Sequence, residues 1–268
     1  MALEEVADWP AANVAVAVVS DGSAEIRAHE LDREFGWASL TKLLTAEALL
    51  VGLEEGILDL DQPAGPEGST IRHLAAHASG LAPDGERTLA RPGERRIYSN
   101  AGYEVLARAI AAAAEMPFAE YLRAAVTGPL GLSRSLNGSP ASGYSGTIDD
   151  LTLLAAELLA PRLVAPETLT EATTVQFPGL VGVLPSFGRQ EPNDWGLGFE
   201  LRDHKSPHWT GSLNSPGTFG HFGASGTFLW VDPERRVALC CLTDLEFGDW
   251  AKEAWPKLAD DVLAELAA

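Results

Sequence analysis

Cysteine is scarce in this 268-residue chain, and basic side chains are few beside its acidic ones. Its two cysteines, Cys240 and Cys241, are neighbours in "RRVALCCLTD". Successive strand residues point to opposite faces, so geometry disfavours a bond between them and no disulfide framework is available. Two buried thiols in a reducing compartment are the expectation. Lysine and arginine number 19 against 38 aspartates and glutamates, a net charge of −19 with a pI near 4.6. Such a surface repels phosphate backbones and anionic lipid heads, which argues against nucleic acid and membrane as partners. It also favours solubility, and need not mark any partner.

Long apolar runs are missing as well: none approaches the roughly 20 residues that span a bilayer. The N-terminal "MALEEVADWPAANVAVAVVSDG" carries acid where a signal peptide carries base. Its apolar stretch Val14–Val19 is short and runs into a turn, Ser20-Asp21-Gly22. A cytoplasmic location is the expectation. Phosphate loops, dinucleotide fingerprints and Gly-x-Ser-x-Gly elbows do not occur, so no cofactor is called for and an α/β-hydrolase would lack its nucleophile.

What is present is an ordinary globular composition, 46% apolar and 21% charged, enough for one large domain or two intimately associated ones. "AANVAVAVVSDGSAEIRAHE" reads as a hairpin around Asp-Gly. A Leu-rich helix follows from about Ser39 to Glu55 and stops at Gly56. After a Pro/Gly-rich linker, helix-period segments dominate from about Ile71 to Leu159, and "FPGLVGVLPSFGRQEPND" reads as an ordered but irregular loop. Strand patterns resume with "WGLGFELRDH", "GTFLWVDP" and "RRVALCCLTDL". A terminal helix then contains Pro256, which would kink it or open its second half. The order predicts an α+β fold: an antiparallel sheet built from residues 1–60 and 195–268, with 61–194 inserted as a mainly helical subdomain.

One residue fits badly. In "FGWASLTKLLTAEALL", Lys42 lies among Leu and Ala that would pack on every side of a helix. It is one of only four lysines, and the only one with Ser three positions before it. Positions i and i+3 share a helix face, so Ser39 and Lys42 are within reach. A serine hydroxyl is a weak nucleophile until a base removes its proton. Burial lowers a lysine pKa and so makes such a base. The plainer alternative is a Ser cap and a Lys that snorkels to the surface.

Two further stretches carry similar pairs of readings. "PGERRIYSNAGYEVLARAI" sets Tyr98 and Asn100 at the mouth of a helix. There a phenol can move protons and an amide can orient Lys42 or a substrate, or Asn100 can simply cap the helix beside a buried Tyr. "TFGHFGASGTFLWVDP" opens a strand with Gly220-His221-Phe222-Gly223, allowing close approach by a ligand, or marks a glycine-rich turn with a surface His. The N–H of Ala224 is a candidate to join that of Ser39 in an oxyanion hole.

In this order the three stretches resemble the serine β-lactamase and penicillin-binding-protein superfamily, closest to its class C branch of β-lactamases, D-stereospecific peptidases and family VIII carboxylesterases. "STIRHLAAHASGL", "AEYLRAAVTGPLGL" and "WGLGFE" extend the likeness over residues 30–245. The resemblance implies a β-lactamase/transpeptidase-like fold with a central antiparallel sheet flanked by helices. It implies catalysis by Ser39 as acylated nucleophile, Lys42 as its base and Tyr98 as proton shuttle. Asn100, His221, Gly223 and Ala224 would then bind substrate, without metal or cofactor. The departure is in the third motif, where Lys-Thr-Gly is usual and His221-Phe222-Gly223 stands here. A neutral imidazole and a phenyl ring grip a carboxylate poorly, which points to small uncharged esters or amides. The expected function is therefore a carboxylesterase-like serine hydrolase. The alternatives are a β-lactamase or D-Ala-D-Ala-type peptidase, and more remotely a non-catalytic penicillin-binding sensor.

His73 and His77, spaced i and i+4 in "HLAAH", are a candidate metal pair, but the zinc-protease pattern needs Glu where Leu74 stands. The seven tryptophans are expected in the core, with Trp37 a candidate wall of the site.

Overall fold

The computed structural model describes residues 2–20, 23–28 and 31–267. A short 3₁₀ helix (Ala2–Asp8) leads into strands β1 (Val14–Ser20) and β2 (Ser23–Ala28), paired antiparallel as the hairpin reading requires. The Asp21-Gly22 turn itself lies outside the described residues. Strand β3 (Phe35–Gly36) and a 3₁₀ turn (Ala38–Leu40) precede helix α1 (Thr41–Glu54). The helices α2 (Ile71–Ala75), α3 (Asn100–Ala113), α4 (Phe118–Leu122) and α5 (Gly128–Leu130) follow. Next come strand β4 (Ser145–Gly146) and helices α6 (Ile148–Leu159) and α7 (Pro166–Ala172). The chain closes with β5 (Gly182–Leu184), β6 (Gly188–Gln190), β7 (Glu200–Leu201), β8 (Phe219–Gly223), β9 (Thr227–Asp232), β10 (Val237–Thr243) and α8 (Asp249–Leu266).

Six strands form one antiparallel sheet in the order β2-β1-β10-β9-β8-β7, joining both ends of the chain. Strand alternation divides its side chains between two cores. Ala15, Ala17 and Val19 of β1 face the core built around α1, α3 and α6. Val14, Val16 and Val18 face the other core, closed by α8. The adjacent cysteines obey the same rule: both are free thiols, Cys240 in the first core and Cys241 in the second.

Three elements refine the sequence reading. The "irregular loop" contains the β5–β6 hairpin, whose three-residue strands are too short to show alternation. Helix α8 continues through Pro256 as one element, so Pro256 does not open its second half; Trp255, Leu258 and Val262 are buried in the second core. Helix α6, which lies inside the segment proposed as the helical insertion, packs on β1, β9 and β10 and so covers one face of the sheet. No helix among the described residues is long and apolar enough to cross a membrane.

Helix α1 is buried around its whole circumference and carries a second misfit, Glu47. Neither of its carboxyl oxygens has a hydrogen-bond partner among the described residues. Burial, with Glu157 adding repulsion, pushes its pKa up to about 8. An acid whose pKa is raised in the folded state favours folding below its unfolded pKa and loses that contribution as pH rises toward the folded value. Stability should therefore fall between about pH 4.5 and pH 8. We expect Glu47→Gln to raise Tm by at least about 3 °C at pH 8 and by much less at pH 4.5, measured by scanning calorimetry.

Candidate active site

Ser39 sits on a turn clamped from outside. The Trp37 N–H donates to the Tyr144 carbonyl at 2.9 Å, and the indole packs at 4.7 Å on the Tyr144 ring. Trp37 is thus buried behind the turn rather than walling the cavity. Ser225 donates to the Gly36 carbonyl (2.6 Å) and Thr227 to the Trp37 carbonyl (3.0 Å), so the β8–β9 hairpin grips the backbone entering the turn. Ala38 adopts φ 46°, a left-handed conformation that costs energy for a residue with a Cβ. The contact is close enough to exclude a side chain at Gly223: a Cβ there would lie 2.6 Å from the Trp37 carbonyl oxygen.

Lys42, in the first turn of α1, is fully buried. Its Nζ lies 2.7 Å from Asn100 Oδ1, 2.9 Å from the Ala141 carbonyl and 3.3 Å from Ser39 Oγ. Snorkelling is therefore excluded. Desolvation lowers its pKa to about 7, against the opposing pull of Asp84 and Glu104. Two of the three Nζ neighbours are carbonyl-type oxygens, which only accept. They orient two N–H groups and leave the third position of nitrogen aimed at Ser39.

Asn100 is the first residue of α3, but Ser99 is its cap, accepting from the Gly102 N–H. That leaves the Asn100 amide available. Its Nδ2 donates to Asp84 Oδ1 (3.1 Å), which fixes the amide orientation and turns Oδ1 toward Lys42. The Tyr98 hydroxyl donates to Ser39 Oγ at 2.8 Å, and burial holds its pKa well above the ordinary tyrosine value, so it is a neutral phenol.

His221 lies on β8 and is buried, not at the surface. Its Nδ1 lies 2.7 Å from the Phe222 carbonyl, which requires the proton on Nδ1. Burial, then the nearby Lys42, bring its pKa down to about 3, so the ring is neutral at any working pH. Ser39, Tyr98, Asn100, His221 and Ala224 all line one cavity of about 280 Å³, closed by Leu184, Phe222 and Phe247. Gly223 sits behind it, at the turn. His73 and His77 do not share a helix face, because α2 ends at Ala75 and His77 takes φ 54°. His77 instead accepts from the Ser99 N–H through Nδ1.

Sequence reasoning missed four contributors. Asp84 and Ala141 lie in loops, where only the folded chain brings them to Asn100 and Lys42. Glu200 borders the cavity; burial raises its pKa, but His208 and Lys205 outweigh that and bring it to about 2. Its carboxylate is held by Lys205, by His208 (2.8 Å) and by the Trp209 indole (3.0 Å). The fourth is Arg96, two residues before Tyr98. Its buried guanidinium donates to the carbonyls of Ala76, Gln176, Phe177 and Asn193, tying the segment that carries β5 and β6 to the backbone leading to Tyr98. "ERRIYSN" offers no clue to which of its two arginines turns inward.

The fold and this constellation define a β-lactamase-type serine hydrolase. The β-lactamase family model matches residues 6–264, and the chain belongs to that family. A crystal structure of a β-lactamase from Mycobacterium bovis is 50% identical over 100% of both chains, with a TM-score of 0.98. The D-alanyl-D-alanine-carboxypeptidase/endopeptidase AmpH of Escherichia coli (strain K12) is 29% identical over 140 residues. That match spans 38% of this chain and only 36% of the curated relative. EstCE1, a hydrolase with promiscuous acyltransferase activity, shares the fold at 17% identity and TM-score 0.78, over 97% of this chain and 96% of its own.

Arg96→Met would leave four carbonyls without their donor, and we expect a loss of about 3 kcal/mol in urea unfolding. Arg96→Lys, with three donors, should recover only part of it.

Proposed function

We propose that the chain is a carboxylesterase-like serine hydrolase that works through an acyl-enzyme on Ser39. The observation that carries this reading is the coordination of Lys42 Nζ. With two N–H groups directed to Asn100 Oδ1 and the Ala141 carbonyl, loss of the third proton leaves a lone pair facing Ser39 Oγ. A pKa of about 7 makes that loss cheap near neutrality.

Four proton movements complete the cycle. Lys42 takes the Ser39 proton as Oγ attacks the ester carbonyl, and the N–H groups of Ser39 and Ala224 receive the oxyanion. Tyr98 gives its proton to the departing alkoxide as the C–O bond breaks. The phenolate, costly alone, is offset by the new ammonium, whose Nζ lies 4.7 Å from the ring centroid. A water then enters, loses a proton to Tyr98 and attacks the acyl carbon. Ser39 leaves with the proton held by Lys42. Both groups return to their starting states.

Substrate charge is argued from the lining. None of the described residues lining the cavity is cationic: Lys42 is buried behind Ser39, His221 is neutral, and the Glu200 carboxylate is paired with Lys205. An acyl group bearing an anion would find no cationic partner in that lining, while a small uncharged one suits the Leu184, Phe222 and Phe247 walls. A second reading, β-lactam hydrolysis, is favoured by the half-identical M. bovis protein described as a β-lactamase.

Hydrolysis of p-nitrophenyl butyrate and of a chromogenic cephalosporin by wild type and Ser39→Ala separates the two. We expect ester turnover that falls at least about 10³-fold in Ser39→Ala, with little cephalosporin cleavage. Fast cephalosporin cleavage would favour the second reading. Because Lys42 acts only when deprotonated, kcat/KM for the ester should rise about tenfold per pH unit below pH 7 and level off above it.

A further inference from the structure

A second concavity, of about 560 Å³, opens on the far side of Tyr98. It shares Tyr98 and Pro185 with the Ser39 cavity, so the two adjoin at these residues. The β5–β6 hairpin is the partition between them. Strand alternation turns Leu184, 1% exposed, toward Ser39 and leaves Val183, 59% exposed, on the other side. With Leu89, 37% exposed, Val183 gives this groove an apolar surface open to solvent.

Its charge is the reverse of the molecule's. In a chain with twice as many acids as bases, three arginines line the groove, and none of its described lining residues is acidic. Arg96 is occupied by carbonyls, and Arg189 is paired with Glu191 just outside. Arg95 is exposed and gives one N–H to the Leu89 carbonyl (3.1 Å), leaving most of its five donors for a ligand.

We infer that this groove receives the alcohol portion of the ester, and that the alcohol is an apolar chain ending in a carboxylate bound by Arg95. This rests on the acyl-transfer reading above. In that reading Tyr98 protonates the leaving oxygen, so the leaving group lies beside Tyr98, where the groove begins. The apolar walls accept the chain and the guanidinium accepts the carboxylate in its planar fork. The carboxylate is a spectator: the acyl C–O bond breaks and the alcohol departs with the Tyr98 proton. The acid stays away from the Ser39 cavity, whose described lining offers an anion no cationic partner.

The test uses butyrate esters of six-, eight- and ten-carbon ω-hydroxy acids, each beside its neutral ω-hydroxy primary amide. All form the same butyryl-enzyme, so differences in kcat/KM report the leaving group alone. We expect the acid to exceed its amide about tenfold at the best length, the preference shrinking with added salt. Arg95→Glu should invert it. An acid no better than its amide at every length, or a ratio unmoved in Arg95→Glu, overturns the inference. Calorimetric binding of 8-hydroxyoctanoate to wild type and Arg95→Glu reads the groove without turnover. Binding weakened at least about fivefold in the variant supports it, and equal or absent binding refutes it. If p-nitrophenyl butyrate also fails to turn over, the acyl-enzyme reading fails on its own account, and the calorimetry still decides the groove.

Discussion

The amine of Lys42 has almost no water around it, and its three neighbours come from three separate parts of the chain. Ser39 belongs to its own turn, Asn100 to the start of α3, and Ala141 to a loop before β4. Holding a lysine in such surroundings costs several kcal/mol unless each polar direction is met, and here each is. The second ring of contacts extends the same requirement. Asp84 fixes the Asn100 amide, and the β8–β9 hairpin fixes the turn on which Ser39 rides. A sheet assembled from both ends of the chain and a helical middle are thereby committed to one geometry at one nitrogen.

Much of that was legible in the sequence because it is local or periodic. Ser39 and Lys42 are three residues apart, so spacing brings them within reach, whereas the approach of Tyr98 and Asn100 to them, across 59 and 58 residues, was legible only through the family resemblance. The antiparallel sheet was again legible from pattern: β1 and β10 are long and strongly apolar, and hairpin chemistry marks their partners. The side chains that complete the environment were not legible. Asp84 meets Asn100 across 16 residues, Arg96 reaches carbonyls at least 20 residues away, and the partners of Glu200 lie in an irregular segment after β7, so no periodicity records these contacts. The cap of α3 illustrates the limit at close range. Ser99 and Asn100 are both good capping residues, and only the backbone shows that Ser99 has the role.

The polarity of the third motif has a chemical meaning that spacing alone conveys only in part. A histidine there would be ambiguous if its ring could titrate. Here the Phe222 carbonyl fixes the tautomer, and burial removes the charged form. The described residues lining the Ser39 cavity then include no cation. On the function proposed above, uncharged acyl groups suit such a lining, and an anion would bind beyond the hairpin.

The way in which that hairpin is attached bears on how such a protein diversifies. Arg96 holds the segment by backbone carbonyls, which every amino acid supplies, rather than by side chains that would have to be kept. The exposed residues of the segment, Val183, Ser186 and Arg189, can therefore be exchanged without loosening the mount, whereas Gly182 lies against Arg96 and Leu184 and Phe187 are buried. Its exposed chemistry can drift under selection for new substrates while Ser39, Lys42 and Tyr98 stay in register.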